Sequence, residues 1–206
     1  MKHIHIKNKI TLLGITTIAV LGLAVATIFF INSRVNIFPQ LIASHVSLNE
    51  KVNFPDIDKS GLSNEQLKLI EILKTEYALN PSGTTYSDGV EEAWCADFVS
   101  WVFNEAGVPL VNPNSGSWRI PGTYTLREYY ESIGELRLAD SGYSPKVGDI
   151  MLYDNPSPFG QHTNIVIKKD GGVITTIGGN EPGGIRIFEH TKPDSAGFIG
   201  YGVFKS

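Results

Sequence analysis

The sequence predicts an α+β fold, with helices in the first half of one domain and an antiparallel β-sheet in the second. Helical patterns occupy three segments between residues 62 and 134, each with a signal for its start or its end. From residue 145 onward, five short runs of β-branched and aromatic residues alternate with clusters of Gly, Pro, Asp and Asn. Helices followed by strands are typical of α+β domains, in which the helices pack on an antiparallel sheet.

The first helix is predicted to begin after Ser63. Ser63 and Gln66 have the spacing of a capping box, and Leu62 and Leu67 are placed as a hydrophobic staple. The helix is expected to end at Asn80, because Pro81 cannot continue it. Its buried stripe is predicted to consist of Leu67, Ile70, Leu73 and Tyr77.

The second helix is predicted from about Trp94 to Ala106, with Gly107 as its C-cap. The third is predicted around a capping box of Thr125 and Glu128, and it should end at Gly134. The strands are expected at residues 149–153, 162–169, 173–177, 185–190 and 197–204.

The N-terminus predicts export. Residues 1–9 carry three lysines and no acidic residue, and residues 10–31 form an unbroken uncharged run that can cross a hydrocarbon layer of about 30 Å. The lysines place the N-terminus in the cytoplasm, so that a single-pass signal-anchor would hold the C-terminal domain outside the cell membrane. The alternative is a secreted protein, released by cleavage of a signal peptide near Ala26. A spacer at 32–60 and a domain at 61–206 complete the predicted organisation.

Charge and cysteine content exclude several classes of function. Residues 35–206 hold 13 of the 17 basic residues and all 21 acidic residues, which argues against nucleic acid as a partner. A single cysteine excludes an internal disulfide and a cysteine-rich zinc site. No metal and no cofactor is expected.

Cys95, at the start of the second helix, has two interpretations. It begins the apolar stripe and could be a small buried hydrophobic residue, as cysteines often are. Alternatively, the free N–H groups and the dipole of a first helical turn stabilise a thiolate, and the same N–H groups can hold an oxyanion. A thiolate nucleophile would need a base and a residue that orients the base.

His162 and Asn180 are the candidates for those two roles. The strand that starts at His162 is followed by a turn, and a three-residue loop centred on Gly171 would place His162 opposite Asn180. Opposed residues share a face with Cβ atoms about 5 Å apart, so the Asn carbonyl could accept the imidazole N–H. A register slip, or a bulge at the paired glycines, would separate the two, and two unrelated polar residues are the alternative.

Four segments resemble a CHAP domain, the cysteine- and histidine-dependent amidohydrolase/peptidase of the papain-like, NlpC/P60-related group. The resemblance covers roughly residues 62–204, and its segments are WCADFVSW (94–101), PKVGDI (145–150), GQHTNIV (160–166) and TTIGGN (175–180). It implies a papain-like fold of helices on an antiparallel sheet. It also implies that Cys95 is the nucleophile, His162 the general base and Asn180 the polar third residue.

The chain departs from the family at Gly178, where many members carry a Glu two residues before the Asn. If that Glu matters, either Asn180 acts alone or Glu181 takes its place. His162 could then be less firmly oriented, although Cys–His–Asn is a workable set by itself.

Other residues receive weaker assignments. Tyr86 lies where related enzymes place a tyrosine that borders the site and assists the oxyanion, and a loop aromatic packed on the core is the equal alternative. Trp94 and Trp118 could line a substrate groove, with half-buried packing as the default. Asp97, Asp149 and His190 are expected to have structural roles. Asp97 would lie at a helix start, Asp149 in a turn and His190 on the surface of a strand.

The resemblance and the predicted export together indicate a membrane-tethered thiol hydrolase of peptidoglycan, either an N-acetylmuramoyl-L-alanine amidase or a peptide endopeptidase. Its partners would be peptidoglycan peptides and, through the N-terminal helix, the membrane. The alternative is a catalytically inactive wall-binding or scaffold module, for which the missing Glu argues. A metal site is least expected, because Cys95 and His162 supply too few ligands.

Overall fold

Helices and strands are segregated along the chain in the computed structural model, which describes residues 52–157, 160–191 and 196–205. Helices α1 (Asn64–Leu79), α2 (Cys95–Ala106) and α3 (Thr123–Ser132) come first, with a short 3₁₀ turn at Gly83–Thr85. The strands are β1 (Leu136–Leu138), β2 (Ile150–Tyr153), β3 (His162–Asp170), β4 (Val173–Glu181), β5 (Gly184–His190) and β6 (Phe198–Gly202). The predicted α+β class is confirmed.

The strands form one antiparallel sheet in the order β1-β6-β2-β3-β4-β5. Helix α2 packs against α1 and against the neighbouring strands β3 and β4. Fully buried side chains of α2 and the sheet fill the space between them: Phe98, Val99, Val102, Ile165, Ile167 and Ile177. The start of α2 therefore lies close to the strands that carry His162 and residues 178–181.

The capping box of α1 is confirmed. The Gln66 N–H donates to Ser63 Oγ at 3.2 Å, and the Ser63 N–H donates to Gln66 Oε1 at 2.9 Å. Asn80 ends the helix in the left-handed conformation, with φ at 48°. The stripe differs from the prediction at one position, since Leu69 is buried while Leu67 is only half-buried.

The last residues of the predicted spacer pack on the domain. Ile57 is buried, the ring of Phe54 lies 6.1 Å from that of Tyr77, and the Tyr77 hydroxyl donates to the Val52 carbonyl at 2.6 Å. The last part of the predicted spacer therefore belongs to the packing around α1.

No helix in the described ranges is both long and apolar enough to cross a membrane. The predicted basic segment (1–9), the anchor (10–31) and the first part of the spacer lie outside the described residues.

Helix α3 begins before the predicted capping box. Its first residue is Thr123, and the N-cap is Gly122, which offers no side-chain hydrogen bond. The burial of Leu126 and Tyr130 against the core sets its position instead. Tertiary packing thus overrides a local capping signal here.

The β3–β4 hairpin has a shorter loop than predicted. Asp170 pairs with Val173, so the loop contains two residues, and the three-residue loop centred on Gly171 is wrong. A register shift between Val166 and Lys168 then brings Ile165 opposite Ile177, which is the register that the sequence predicts. A bulge in β3 therefore compensates for the shorter loop.

Candidate active site

Cys95 is the first residue of α2 and is 4% exposed. The N-cap residue, Trp94, gives the helix no side-chain capping hydrogen bond. The first-turn N–H groups of a helix have no partner within the helix, and they favour negative charge at this end. The thiol thus lies where a thiolate and an oxyanion can both be stabilised.

The Trp94 indole is held on several sides. It stacks on Tyr86 with a centroid distance of 5.4 Å and an interplanar angle of 19°, and it meets Phe98 edge-on. Gly83 and Gly179 contact it through bare Cα atoms: a Cβ at Gly83 would lie 2.6 Å from Trp94 Cε2, and one at Gly179 2.8 Å from Trp94 Cε3. Because Gly83 and Gly179 have no side chains, they leave room for the indole of Trp94, the residue before Cys95.

We expect Gly179→Ala to destabilise the domain by about 1–3 kcal/mol, since the new methyl group would overpack against Trp94 and Phe98. Gly172→Ala is the matched control, because a Cβ there meets no atom within 4 Å. Urea unfolding of both variants measures the difference. Equal stability of the two would contradict the close packing at Gly179.

Tyr86 packs in the core and does not border an open site. It is fully buried, and its hydroxyl donates to Glu76 Oε2 at 2.6 Å. Burial, together with the hydrogen bond to the Glu76 carboxylate, raises the pKa of Tyr86 far above its usual range. The oxyanion role expected for Tyr86 is therefore not supported, because its hydroxyl is committed to Glu76. Its ring instead supports Trp94.

His162 is the first residue of β3 and is buried, with 5% of its surface exposed. The Cys95 thiol is hydrogen-bonded to its ring. On the other side, His162 Nε2 lies 2.6 Å from Glu181 Oε1, and both side chains are 6% exposed. The structure thus brings the predicted nucleophile and base together and adds a carboxylate.

The protonation of His162 follows from these neighbours. Burial alone would lower the pKa of its ring, but the hydrogen bonds to Cys95 and Glu181 and the charges of these two groups outweigh burial. The result is a pKa raised from 6.5 to about 9. The ring is consequently an imidazolium at neutral pH, which suits a proton donor.

The pairing of β3 with β4 extends only as far as Ile165 and Ile177, so Asn180 is not paired with His162. Asn180 is exposed and has a left-handed backbone, with φ at 60°. The pairing of β4 with β5 shifts between Gly178 and Glu181, so that Glu181 and not Asn180 reaches the ring. The predicted contact between His162 and Asn180 is wrong because a bulge changes which side chains share a face.

Asp97 is fully buried and does not face solvent at the helix start. Its Oδ1 lies 2.8 Å from Arg119 Nε, and Arg119 also contacts Glu92. Burial raises the pKa of Asp97 to about 6, against the opposing effect of Arg119. Sequence reasoning missed Arg119, because an ion pair across a long loop leaves no spacing pattern.

Asp149 has the turn role that the sequence predicts. Its Oδ2 accepts from the Tyr143 hydroxyl at 2.9 Å and the Lys146 N–H at 2.8 Å, and its Oδ1 accepts from the Phe204 N–H at 2.8 Å. Burial nevertheless raises the pKa of Asp149.

His190 is half-buried, unlike the surface residue that the sequence predicts. Its Nε2 lies 2.9 Å from Thr176 Oγ1 on β4. Burial lowers the pKa of His190, the opposite direction from His162. Trp118 is half-buried, as in the default interpretation.

An open groove of about 400 Å³ extends along the loop before α2 and reaches Trp94. Its other lining residues are small or acidic: Ser82, Gly83, Thr84, Val90, Glu91 and Glu92. In the part of the chain that the structure describes, no group of three or more His, Cys, Asp and Glu residues is placed to hold a metal ion.

Comparison with known families agrees with this geometry. Residues 85–180 match the family model of the CHAP domain, a range that contains Cys95 and His162 and ends at Asn180. These residues form a CHAP domain. CHAP domains are in general cysteine- and histidine-dependent amidohydrolases or peptidases that act on peptidoglycan. Comparisons with curated proteins and with solved structures gave no significant match.

Proposed function

We propose that the chain is an exported thiol hydrolase that cleaves amide bonds of peptidoglycan. The observation that supports this most is the buried Cys95 thiol, hydrogen-bonded to a histidine whose other side is bound by a carboxylate. A nucleophile, a base and a group that orients the base are the minimum that covalent amide hydrolysis requires. A cysteine that only filled space in the core would need neither partner.

In the proposed reaction, Cys95 acts as a thiolate paired with the His162 imidazolium, and it attacks the carbonyl carbon of an amide. The first-turn N–H groups of α2 stabilise the oxyanion that forms. The C–N bond then breaks as the His162 imidazolium gives its proton to the leaving amine, and an acyl thioester remains on Cys95. His162 next takes a proton from water and the hydroxide attacks the thioester, so that a carboxylic acid leaves and the Cys95 thiolate is restored beside the His162 imidazolium.

The groove beside Trp94 supports a peptide-bearing substrate. It reaches the residue before the proposed nucleophile, and Trp94 presents an aromatic surface near the exposed carboxylate of Glu91. An aromatic face with acidic neighbours suits extended chains that carry amino groups. The predicted N-terminal membrane segment would hold this site outside the cytoplasm, where peptidoglycan is found.

Digestion of purified peptidoglycan by the full chain tests this function. Wild type and Cys95→Ala are incubated at catalytic concentration, and the released fragments are analysed by mass spectrometry. We expect new amine and carboxyl termini with wild type only, and their masses identify the bond as muramoyl–alanine or peptide. If neither protein releases fragments from peptidoglycan but both still sediment with it, the result would instead support the inactive binding module.

A further inference from the structure

The carboxylate that contacts His162 comes from Glu181, the residue after the one that the family pattern indicates. Glu181 Oε1 lies 2.6 Å from His162 Nε2, and only 6% of the Glu181 side chain is exposed. Asn180, by contrast, is exposed. A buried carboxylate at hydrogen-bond distance from a ring nitrogen fixes the orientation and the tautomer of that ring.

A bulge in β4 explains how Glu181 reaches this position. Gly178 pairs with Arg186 and Glu181 pairs with Gly184, so two residues of β4 stand opposite one residue of β5. Side chains alternate between the faces of a strand, and one extra residue reverses that alternation. Asn180, with φ at 60°, supplies the left-handed residue that such a bulge uses. Glu181 therefore shares a face with Gly178.

The glycine at 178 leaves the space that the Glu181 carboxylate occupies. A Cβ built on Gly178 would lie 3.1 Å from Glu181 Oε1 and 3.4 Å from His162 Nε2. A side chain at position 178 would therefore extend toward the same place beside the His162 ring that the Glu181 carboxylate occupies. Any larger side chain at 178 would compete with Glu181 for it.

We propose that Glu181 is the positioning residue for His162. The bulge at Asn180 turns the Glu181 side chain toward the ring, and the absence of a side chain at Gly178 leaves room for its carboxylate. The inference rests on the proposed thiol hydrolase function. Glu181 accepts the Nε2–H of His162, which leaves Nδ1 to exchange a proton with Cys95. Asn180 then acts through its backbone conformation and not through its amide.

Several ionisable groups surround the ring and bear on its titration. These groups are the Cys95 thiol on α2, the Glu181 carboxylate on β4 and the partly buried His190 on β5. Tyr153, on β2, is the cross-strand partner of His162. Of these, only Cys95 and Glu181 form hydrogen bonds that raise the pKa of His162, while burial lowers it. Loss of the Glu181 charge should therefore move the titration of His162 to lower pH.

The test compares three variants of the full chain with wild type. Glu181→Gln keeps the shape but removes the charge, Asn180→Gly removes the amide while allowing the left-handed backbone, and Glu189→Gln removes an exposed charge from β5. Two quantities are measured across pH 5–10: the rate of peptidoglycan cleavage, and the rate at which iodoacetamide alkylates Cys95. Because the chain has one cysteine, alkylation reports on Cys95 alone and needs no substrate.

We expect Glu181→Gln to lower the cleavage rate at least about tenfold and to move the alkaline inflection of the alkylation profile to lower pH. Asn180→Gly and Glu189→Gln should stay within about threefold of wild type with an unmoved profile. A wild-type profile retained by Glu181→Gln, or a loss in Asn180→Gly as large as that in Glu181→Gln, would overturn the inference. If wild type cleaves nothing, the proposed function fails, while the alkylation profiles still decide the role of Glu181.

Discussion

His162→Ala should lower the rate of peptidoglycan cleavage by about four orders of magnitude without unfolding the domain. The variant loses the imidazolium that pairs with the Cys95 thiolate and protonates the leaving amine. Steady-state rates on peptidoglycan, with circular dichroism as the check on folding, measure the effect. In wild type, the raised pKa of His162, about 9, keeps the acid form through neutral pH, so the rate should fall only as the pH rises through about 9.

His190→Ala is the matched control. His190 is half-buried on the same sheet, yet its Nε2 contacts Thr176 and its pKa is lowered by burial, so it should not act as a proton donor at neutral pH. We expect that variant to retain activity within about tenfold of wild type. A comparable loss in both variants would mean that His162 acts only through the packing of the sheet.

Arg119→Ala should destabilise the domain at pH 7 by about 3 kcal/mol, because it leaves the fully buried Asp97 carboxylate without its partner. Asp97 already has a pKa of about 6, above the ordinary 3.8, since burial disfavours its charge more than Arg119 favours it. An acid whose pKa is higher in the folded state loses stability as the pH rises from the unfolded value through the folded one. Removing Arg119 enlarges that loss, so the effect should be smaller at pH 5 than at pH 7.

Urea unfolding at both pH values measures this effect, with Arg127→Ala as the control. Arg127 contacts Glu131 at 2.7 Å on α3, but both side chains are well exposed, so its removal should cost less than about 0.5 kcal/mol. An equal loss for Arg119→Ala at pH 5 and pH 7 would contradict the link to the Asp97 charge. Arg119 also contacts Glu92 in the loop before α2, so a reduced cleavage rate in this variant is a further expected result.

The parts of the fold that depend on neighbouring residues could be predicted from the sequence. The capping box of Ser63 and Gln66, and the placement of Cys95 at the start of α2 with Gly107 at its end, require only local hydrogen bonds and periodicity. His162 at the start of β3 follows from strand patterning in the same way. The positions of Cys95 and His162 at the starts of these two elements could therefore be predicted from local sequence.

The rest depends on register and on distant partners. One bulge in β3 and another in β4 decide what faces His162, and a single extra residue exchanges Glu181 for Asn180. Strand β1 pairs with β6, at the far end of the chain, and its three residues carry no pattern of their own. The Asp97–Arg119 pair and the Tyr86–Glu76 hydrogen bond likewise join loops and helices whose packing the sequence does not reveal.

Trapping of the acyl thioester on Cys95 tests the central claim most directly. Wild type is mixed with soluble peptidoglycan fragments and quenched in acid within the first turnover, and the peptide that contains Cys95 is examined by mass spectrometry. We predict that this peptide gains the mass of the acyl fragment, that hydroxylamine removes it, and that Cys95→Ala neither forms it nor releases product. Product release by Cys95→Ala at the wild-type rate, or an acyl group on any other residue, would contradict the account.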